Sequence, residues 1–280
     1  MNQSLTKTKI FQVYFKPEQL PQLDLDFTPC DNTANLQPDL QEWHVWDREY
    51  DACCADSLDY WGFFSWRFKE KMNMTGKQVN AYIADNPGYD VYLFNPCIVN
   101  EALFANSWEQ GDMYHPGLSA IADKFLAKLG YTDTSVLELL LDRNRTSFAT
   151  YTVGNRQFWD GYMAFSRRIF TEADIDAEFK KLVFTPGTSN YARNSSYSMF
   201  AFLNERLIST YLELTNANVL AYQHTAETLP ARYNPYIKDI TALSNLKVLI
   251  NQYESDELYD IWDHYRARLR EQHPGILGLE

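Results

Sequence analysis

The sequence predicts an α/β fold, a mixed β-sheet flanked by helices with a helical C-terminal extension, and three observations predict it. First, Thr75-Gly-Lys-Gln78 has capping-box spacing, apolar Val79, Tyr82 and Ile83 follow at helical intervals, and Asn86-Pro87-Gly88 stops the run directly before the strand-like Tyr89-Asp-Val-Tyr-Leu-Phe94. Helix, turn and strand in that order call for a sheet covered by helices. Second, Lys9-Ile-Phe-Gln-Val-Tyr-Phe15 is β-branched and aromatic until Lys16-Pro17 ends it, which suits a first strand. Third, 280 residues at 45% hydrophobic content can close a sizeable core.

The remaining elements follow in order. Residues 22–58 hold Pro29, Asp31-Asn32 and Pro38 with little periodicity, so a loop is expected there with one short element at 42–50. Loops of that length commonly serve a site. Behind Pro116-Gly117, Leu118, Ile121, Phe125 and Leu129 form a helical stripe and Gly130 stands where a C′ glycine belongs. Residues 148–153 read as a strand, and Asn155 can cap a helix carrying Phe158, Trp159, Tyr162, Met163 and Ile169. Residues 171–182 read as one charged amphipathic helix. In 197–214, Leu203, Leu207, Tyr211 and Leu214 line one side while Phe202, Ile208 and Leu212 line the other, so this helix is expected to be buried nearly all round. Residues 237–273 read as a charged helical pair, packed outside the sheet or on a neighbouring subunit, where a homo-oligomer contact is to be sought. No repeat or linker interrupts the chain, giving a main domain over 1–230 and a helical extension over 231–280.

Composition excludes several classes. Lys+Arg 25 against Asp+Glu 37 leaves a net charge of −12, the wrong sign for wrapping nucleic acid or lying on an anionic membrane, so an anionic ligand must be held locally. Cys30, Cys53, Cys54 and Cys97 lack zinc-site spacing, and the adjacent pair suits a disulfide poorly, so reduced thiols are expected. Residues 1–9 are polar and no run reaches the ~20 apolar residues that span a bilayer, which predicts a cytoplasmic protein without an integral membrane segment. The chain has 17 Phe, 19 Tyr and 7 Trp, more than packing alone demands, so part of the aromatic set is expected on a binding surface.

Three stretches carry the candidate chemistry. Glu205 sits roughly 160° around its helix from the leucine stripe, at ~100° per residue, which puts a carboxylate beside Phe202, Ile208 and Leu212. Burial raises such a pKa and adjacent Arg206 lowers it, so Glu205 is either a poised general base or half of a structural ion pair. Asp59-Tyr-Trp-Gly-Phe-Phe-Ser-Trp-Arg-Phe-Lys69 offers rings to stack on a sugar or base and cations, Arg67 and Lys69, to clamp a phosphate; a buried aromatic element with solvent-facing cations explains the same letters. In Asn106-Ser-Trp-Glu-Gln-Gly-Asp-Met-Tyr-His-Pro-Gly117, Trp108, Glu109, Asp112 and His115 suit a polyhydroxylated ligand, and a punctuated loop suits them equally.

No P-loop, dinucleotide fingerprint, zincin motif or nucleophile elbow is present, so those chemistries lose support. Asp24-Leu-Asp26 and Asp174-Ile-Asp176 do not follow a hydrophobic strand, and the strand end that would carry an acidic metal motif reads Asn95-Pro96.

The Tyr60-Trp-Gly-Phe-Phe-Ser-Trp-Arg67 stretch, the strand into Asn95-Pro96, the Trp108-Glu-Gln-Gly run leading to His115-Pro-Gly, the turn from Tyr151 to Phe158-Trp159 and Phe202-Leu-Asn-Glu-Arg-Leu207 resemble, in that order, glycosyltransferase-like proteins of bacterial capsule and O-antigen gene clusters. The likeness spans residues 9–225. It is also similar, in its early and late blocks, to capsular-polysaccharide glycosyltransferases, with Ser65-Trp66 standing where that family has His-Tyr.

The resemblance implies a GT-A-like fold, a nucleotide-sugar donor and a glycan or lipid-linked acceptor in surface-polysaccharide synthesis. It places Gln12 and Tyr14 near the nucleotide, Ser65, Trp66, Arg67 and Lys69 near the donor with Trp108 and His115, Asn95 at the usual metal-motif position, and Glu205-Arg206 at the reacting centre. Mn²⁺ or Mg²⁺ dependence stays open, since no acidic metal motif stands there. Glu205 is the expected base, with Asp112 or Glu109 as runner-up. Two other classes remain: a glycoside hydrolase pairing Glu109 or Asp112 with Glu205, and a non-catalytic carbohydrate-binding protein.

Overall fold

A computed structural model describes residues 7–186, 197–215, 217–225 and 228–279; most of the N-terminal stretch read for a leader lies outside them. Among the described residues, β1 (Thr8–Tyr14), β2 (Thr28–Asp31), β3 (Tyr60–Ser65), β4 (Val91–Leu93), β5 (Thr152–Asn155) and β6 (Val219–Ala221) form one mixed sheet in the order β2-β1-β3-β5-β4-β6. The pairs β1–β2, β1–β3 and β4–β6 are parallel, and β5 runs antiparallel between β3 and β4. The C-terminal ends of the five parallel strands and the start of β5 therefore share one rim. The chain leaves β1 for β2 on one side and returns to β3 on the other, the kind of switch point where open α/β sheets leave a crevice.

Helices cover both faces. Alternation along the strands sends Phe11, Val13, Trp61, Phe63, Val91 and Leu93 to one face, against α1 (Glu42–Ala55) and residues from later helices, and Ile10, Phe64 and Tyr92 to the other, against α2 (Phe68–Met72) and α3 (Gly76–Asp85). Phe11 stacks on Phe63 at 5.1 Å and Phe64 on Phe68 at 4.2 Å, so the aromatic excess is largely core. Gly62 is required at the centre, because a Cβ there would strike the Thr152 carbonyl and the Val153 side chain.

The later helices are α4 (Ile98–Leu103), α5 (Ser107–Tyr114), α6 (Leu118–Lys128), α7 (Arg156–Ile175), α8 (Ala177–Phe184), α9 (Met199–Leu214), α10 (Ile237–Tyr253) and α11 (Asp256–Gln272). Elements α6 to α9 join the α1 face, whereas α4, α10 and α11 build a separate cluster around Leu103, Leu243 and Trp262. No described helix is long and apolar enough to cross a membrane.

Local signals behave as capping chemistry dictates. The Thr75 hydroxyl accepts from Gln78 N at 3.3 Å and the Gln78 carboxamide accepts from Thr75 N at 2.8 Å; Gly130 closes α6 with φ +95°. Other expectations are corrected. The short element at 42–50 is the 14-residue α1, carried by burial of Trp43, Val45, Trp46 and Cys53 rather than by visible periodicity. Residues 107–114, read as a punctuated loop, are helical because the Asn106 side chain accepts from Trp108 N at 2.8 Å and Glu109 N at 2.9 Å. The charged helix of 171–182 is cut at Asp176, which caps α8 through the N–H groups of Glu178 and Phe179. Asp24 accepts from Gly76 N at 3.0 Å and serves α3.

Candidate functional site

The rim above β1, β3 and β5 gathers charge. Ser65 ends β3, and its hydroxyl meets the Tyr151 hydroxyl at 2.6 Å. The next residue back from β5, Thr150, donates its hydroxyl to Glu42 Oε2 at 2.9 Å. From α2, Lys71 brings its ammonium to 5.9 Å from the Tyr151 ring centre. Glu42 opens α1, half-buried, where a helix N-terminus favours an acid.

Two residues of this group hold left-handed backbones that their side chains disfavour. Gln41, before Glu42, has φ 51° and ψ −132°, and the β-branched, buried Thr150 has φ 57°. Such geometry costs on the order of 1–3 kcal/mol each and clusters at functional sites.

Glu205 stands within electrostatic reach of Glu42 and Lys71. The run Met199–Thr210 of α9 is buried except for this residue, whose side chain is 48% exposed while that of Arg206 is 5% exposed. Burial raises the Glu205 pKa above the ordinary carboxylate value; Arg206 opposes, the charge of Glu42 raises it further, and Lys71 lowers it. Glu42 is likewise raised by burial, with the Thr150 hydroxyl and Lys71 opposing. Glu42, Glu205 and Lys71 thus form one electrostatic unit beside Tyr151 and Ser65.

The other sequence candidates fall into two groups. At the rim, Arg67 is exposed and forks onto Glu70 at 2.9 and 2.6 Å, and Tyr151 feels its charge. Trp66 is half-buried and Lys69 exposed on α2. The cation whose charge acts on both carboxyls is Lys71, two residues beyond Lys69. Tyr14 ends β1, its phenol raised by burial and by Asp31. Gln12 is fully buried, donating towards Ser65 O and Trp66 O at 3.3 and 3.4 Å and accepting from Asp24 N at 2.7 Å, so it braces the rim from beneath. The Asn95 side chain accepts from Cys97 N at 3.1 Å and shapes the turn after β4.

The candidates on α5 are corrected to structural roles. Trp108 has no exposed surface, and its indole donates to Thr210 at 2.9 Å. His115 is 1% exposed and stacks on Phe202 at 3.5 Å. Asp112 accepts from Ser119 N at 3.0 Å and from the Ser119 hydroxyl. Glu109 accepts from Ala105 N at 2.5 Å and from Arg266 at 2.8 and 2.9 Å. Arg206 donates to Ser107 O, Phe202 O and Gln110 at 2.8, 2.8 and 2.6 Å, clamping α5 to α9, so it orients Glu205 rather than meeting a diphosphate.

Sequence reasoning missed Glu42, Lys71 and Thr150. An acid at a helix start after a long loop was the available signal for Glu42; nothing in the letters announces a left-handed threonine. Among the described residues, no group of three or more His, Cys, Asp or Glu side chains could hold a metal ion. Comparison with protein-family models, with curated proteins and with solved structures finds no match to this chain.

Proposed function

We propose that this protein is a glycosyltransferase, moving a sugar from a nucleotide-sugar donor to a hydroxyl of a glycan or lipid-linked acceptor, in a GT-A-like arrangement with the donor over the ends of β1 and β3. The observation that carries the reading is the opening in α9: Glu205 alone looks out of a buried helical run, and the charges of Glu42 and Lys71 act on it. The resemblance to capsule-cluster enzymes supports the substrate class.

In this reading the acceptor hydroxyl gives its proton to Glu205 as its oxygen bonds to the anomeric carbon. The bond from that carbon to the diphosphate breaks with its electron pair on the leaving oxygen. A raised pKa makes Glu205 a stronger base than an ordinary carboxylate. Lys71, with Arg67 once it turns from Glu70, supplies positive charge to the leaving group. Arg206 fixes the base through three protein contacts. No step is assigned to a metal.

Hydrolysis of a glycoside is the second reading, favoured by one observation, two raised carboxyls of which Glu42 acts electrostatically on Glu205. Thermal shift against nucleotide sugars separates the two. A donor at ~100 times its Kd adds about 2.7 kcal/mol to the stability of the transferase, and Glu205→Gln keeps that stabilisation while losing transfer. Stabilisation by oligosaccharides and by no nucleotide would move the assignment to hydrolysis.

A further inference from the structure

The last long helix turns a mixed face to solvent. On α11, Asp260, Ile261, His264, Tyr265 and Arg268 line one shallow open groove. Ile261 is 54% exposed, and Leu258 and Tyr265 flank it half-buried. Glu257, exposed one turn before Ile261, belongs to the same stripe at ~100° per residue. Along the helix the stripe therefore runs acid, acid, isoleucine, histidine, arginine.

The arginines of α11 divide by role. Arg266 is held by Glu109 and Asp263, both at 2.8 Å, and Arg270 donates to the Leu103 carbonyl and packs on Phe104 at 4.4 Å. Arg268 instead is exposed, lies over the Tyr265 ring at 5.3 Å and enters no ion pair among the described residues. A helix dipole favours acids first and cations last only within the terminal turns. Asp260 and Arg268 lie outside those turns of Asp256–Gln272, so the dipole does not account for the polarity of the stripe.

Charge and apolar surface together select the occupant. A basic partner would meet Arg268 at one end of the stripe. An acidic partner, a nucleic acid or an anionic bilayer would meet Glu257 and Asp260 at the other, on a protein of net charge −12. A second α11 laid parallel sets like charge on like. Laid antiparallel about a two-fold axis midway between Ile261 and His264, it brings Glu257 of each copy level with the partner's Arg268, and the two isoleucines meet between these pairs. At 1.5 Å per residue the pairs stand about 16 Å apart, so one helix-on-helix contact holds both.

We infer that the protein forms a two-fold dimer through α11, its own second copy filling this groove. The inference stands apart from the transferase reading.

Sedimentation velocity on the full chain, from about 1 µM to about 1 mM, tests it. The wild type passes from one copy to two within that range, and Ile261→Glu stays monomeric throughout. Glu257→Arg and Arg268→Glu each weaken dimerisation by about tenfold or more, because each sets like charge across the axis twice. The double variant Glu257→Arg/Arg268→Glu returns to within about threefold of the wild type, the exchanged pairs again being opposite in sign. All three side chains are exposed, so melting temperatures near that of the wild type accompany these changes. If Ile261→Glu fails to fold, the charge exchange decides alone. A wild type that stays monomeric at the top of the range, a dimer untouched by Ile261→Glu, or a double variant no tighter than its parents overturns the inference, whatever the nucleotide-sugar measurements show.

Discussion

Glu205 and Glu109 are both helical glutamates that touch arginines, and the sequence nominated both as bases, yet they sit in opposite situations. Glu109, on α5, is saturated: a backbone N–H and the Arg266 guanidinium take its oxygens, and Arg266 itself packs on Trp262 at 4.2 Å. Glu205, on α9, touches Arg206 only at 3.4 Å, while Arg206 bonds elsewhere and Glu42 adds repulsion. A carboxylate whose partners are all intramolecular holds helices together. One kept raised, exposed and underbonded can take a proton from a substrate.

The largest effect that sharpens this contrast is Glu205→Gln, expected to lower kcat by about 10²- to 10⁴-fold, the usual share of a general base. Its melting temperature at pH 7 is expected to be no lower than that of the wild type. A carboxyl raised by folding favours the folded state only in its protonated form. That contribution is present below the ordinary value of 4.5 and gone once pH passes the folded value, so above that value nothing remains to lose, and below it the neutral Gln replaces a neutral carboxyl. Equal loss of activity in Glu109→Gln would erase the distinction.

Arg266→Ala is the reciprocal experiment, with stability as its readout. It removes charged hydrogen bonds to Glu109 and Leu103 O and the cover on Trp262, at a cost of about 2–3 kcal/mol. Denaturant unfolding should record that loss while kcat at a permissive temperature holds.

Glu42→Gln acts on Glu205 through its charge. Without the Glu42 charge the Glu205 pKa falls, so the acid limb of the pH–rate profile, below which the base is protonated, moves to lower pH. An unmoved limb with reduced kcat would make Glu42 a packing residue of the Thr150 turn.

Arg67→Met has the smallest expected effect. Its pair with Glu70 is exposed on both sides and contributes about 0–1 kcal/mol, so stability stays put and only KM for the nucleotide sugar rises. Unchanged KM would take Arg67 out of the donor site.

Much of the scaffold was legible. Thr75-Gln78, Gly130 and Asn155 act through bonds that close within four residues, so local spacing suffices to find them. The α5 candidates misled because a cap at Asn106 and a long-range partner on α11, separated from Glu109 by 157 residues, turn polar letters inward. Strands β2 and β6, of four and three residues, exist by pairing with β1 and β4 and carry little pattern of their own.

By itself the sequence determined the alternation of helices and strands, the caps that bound them and the burial of α9, because periodicity and capping depend on near neighbours. Only the tertiary structure decided which carboxylate keeps its charge available. That depends on what the sheet brings opposite each side chain: Arg266 against Glu109, where both charges are consumed, and Glu42 against Glu205, where repulsion and a strained threonine turn leave one exposed and basic.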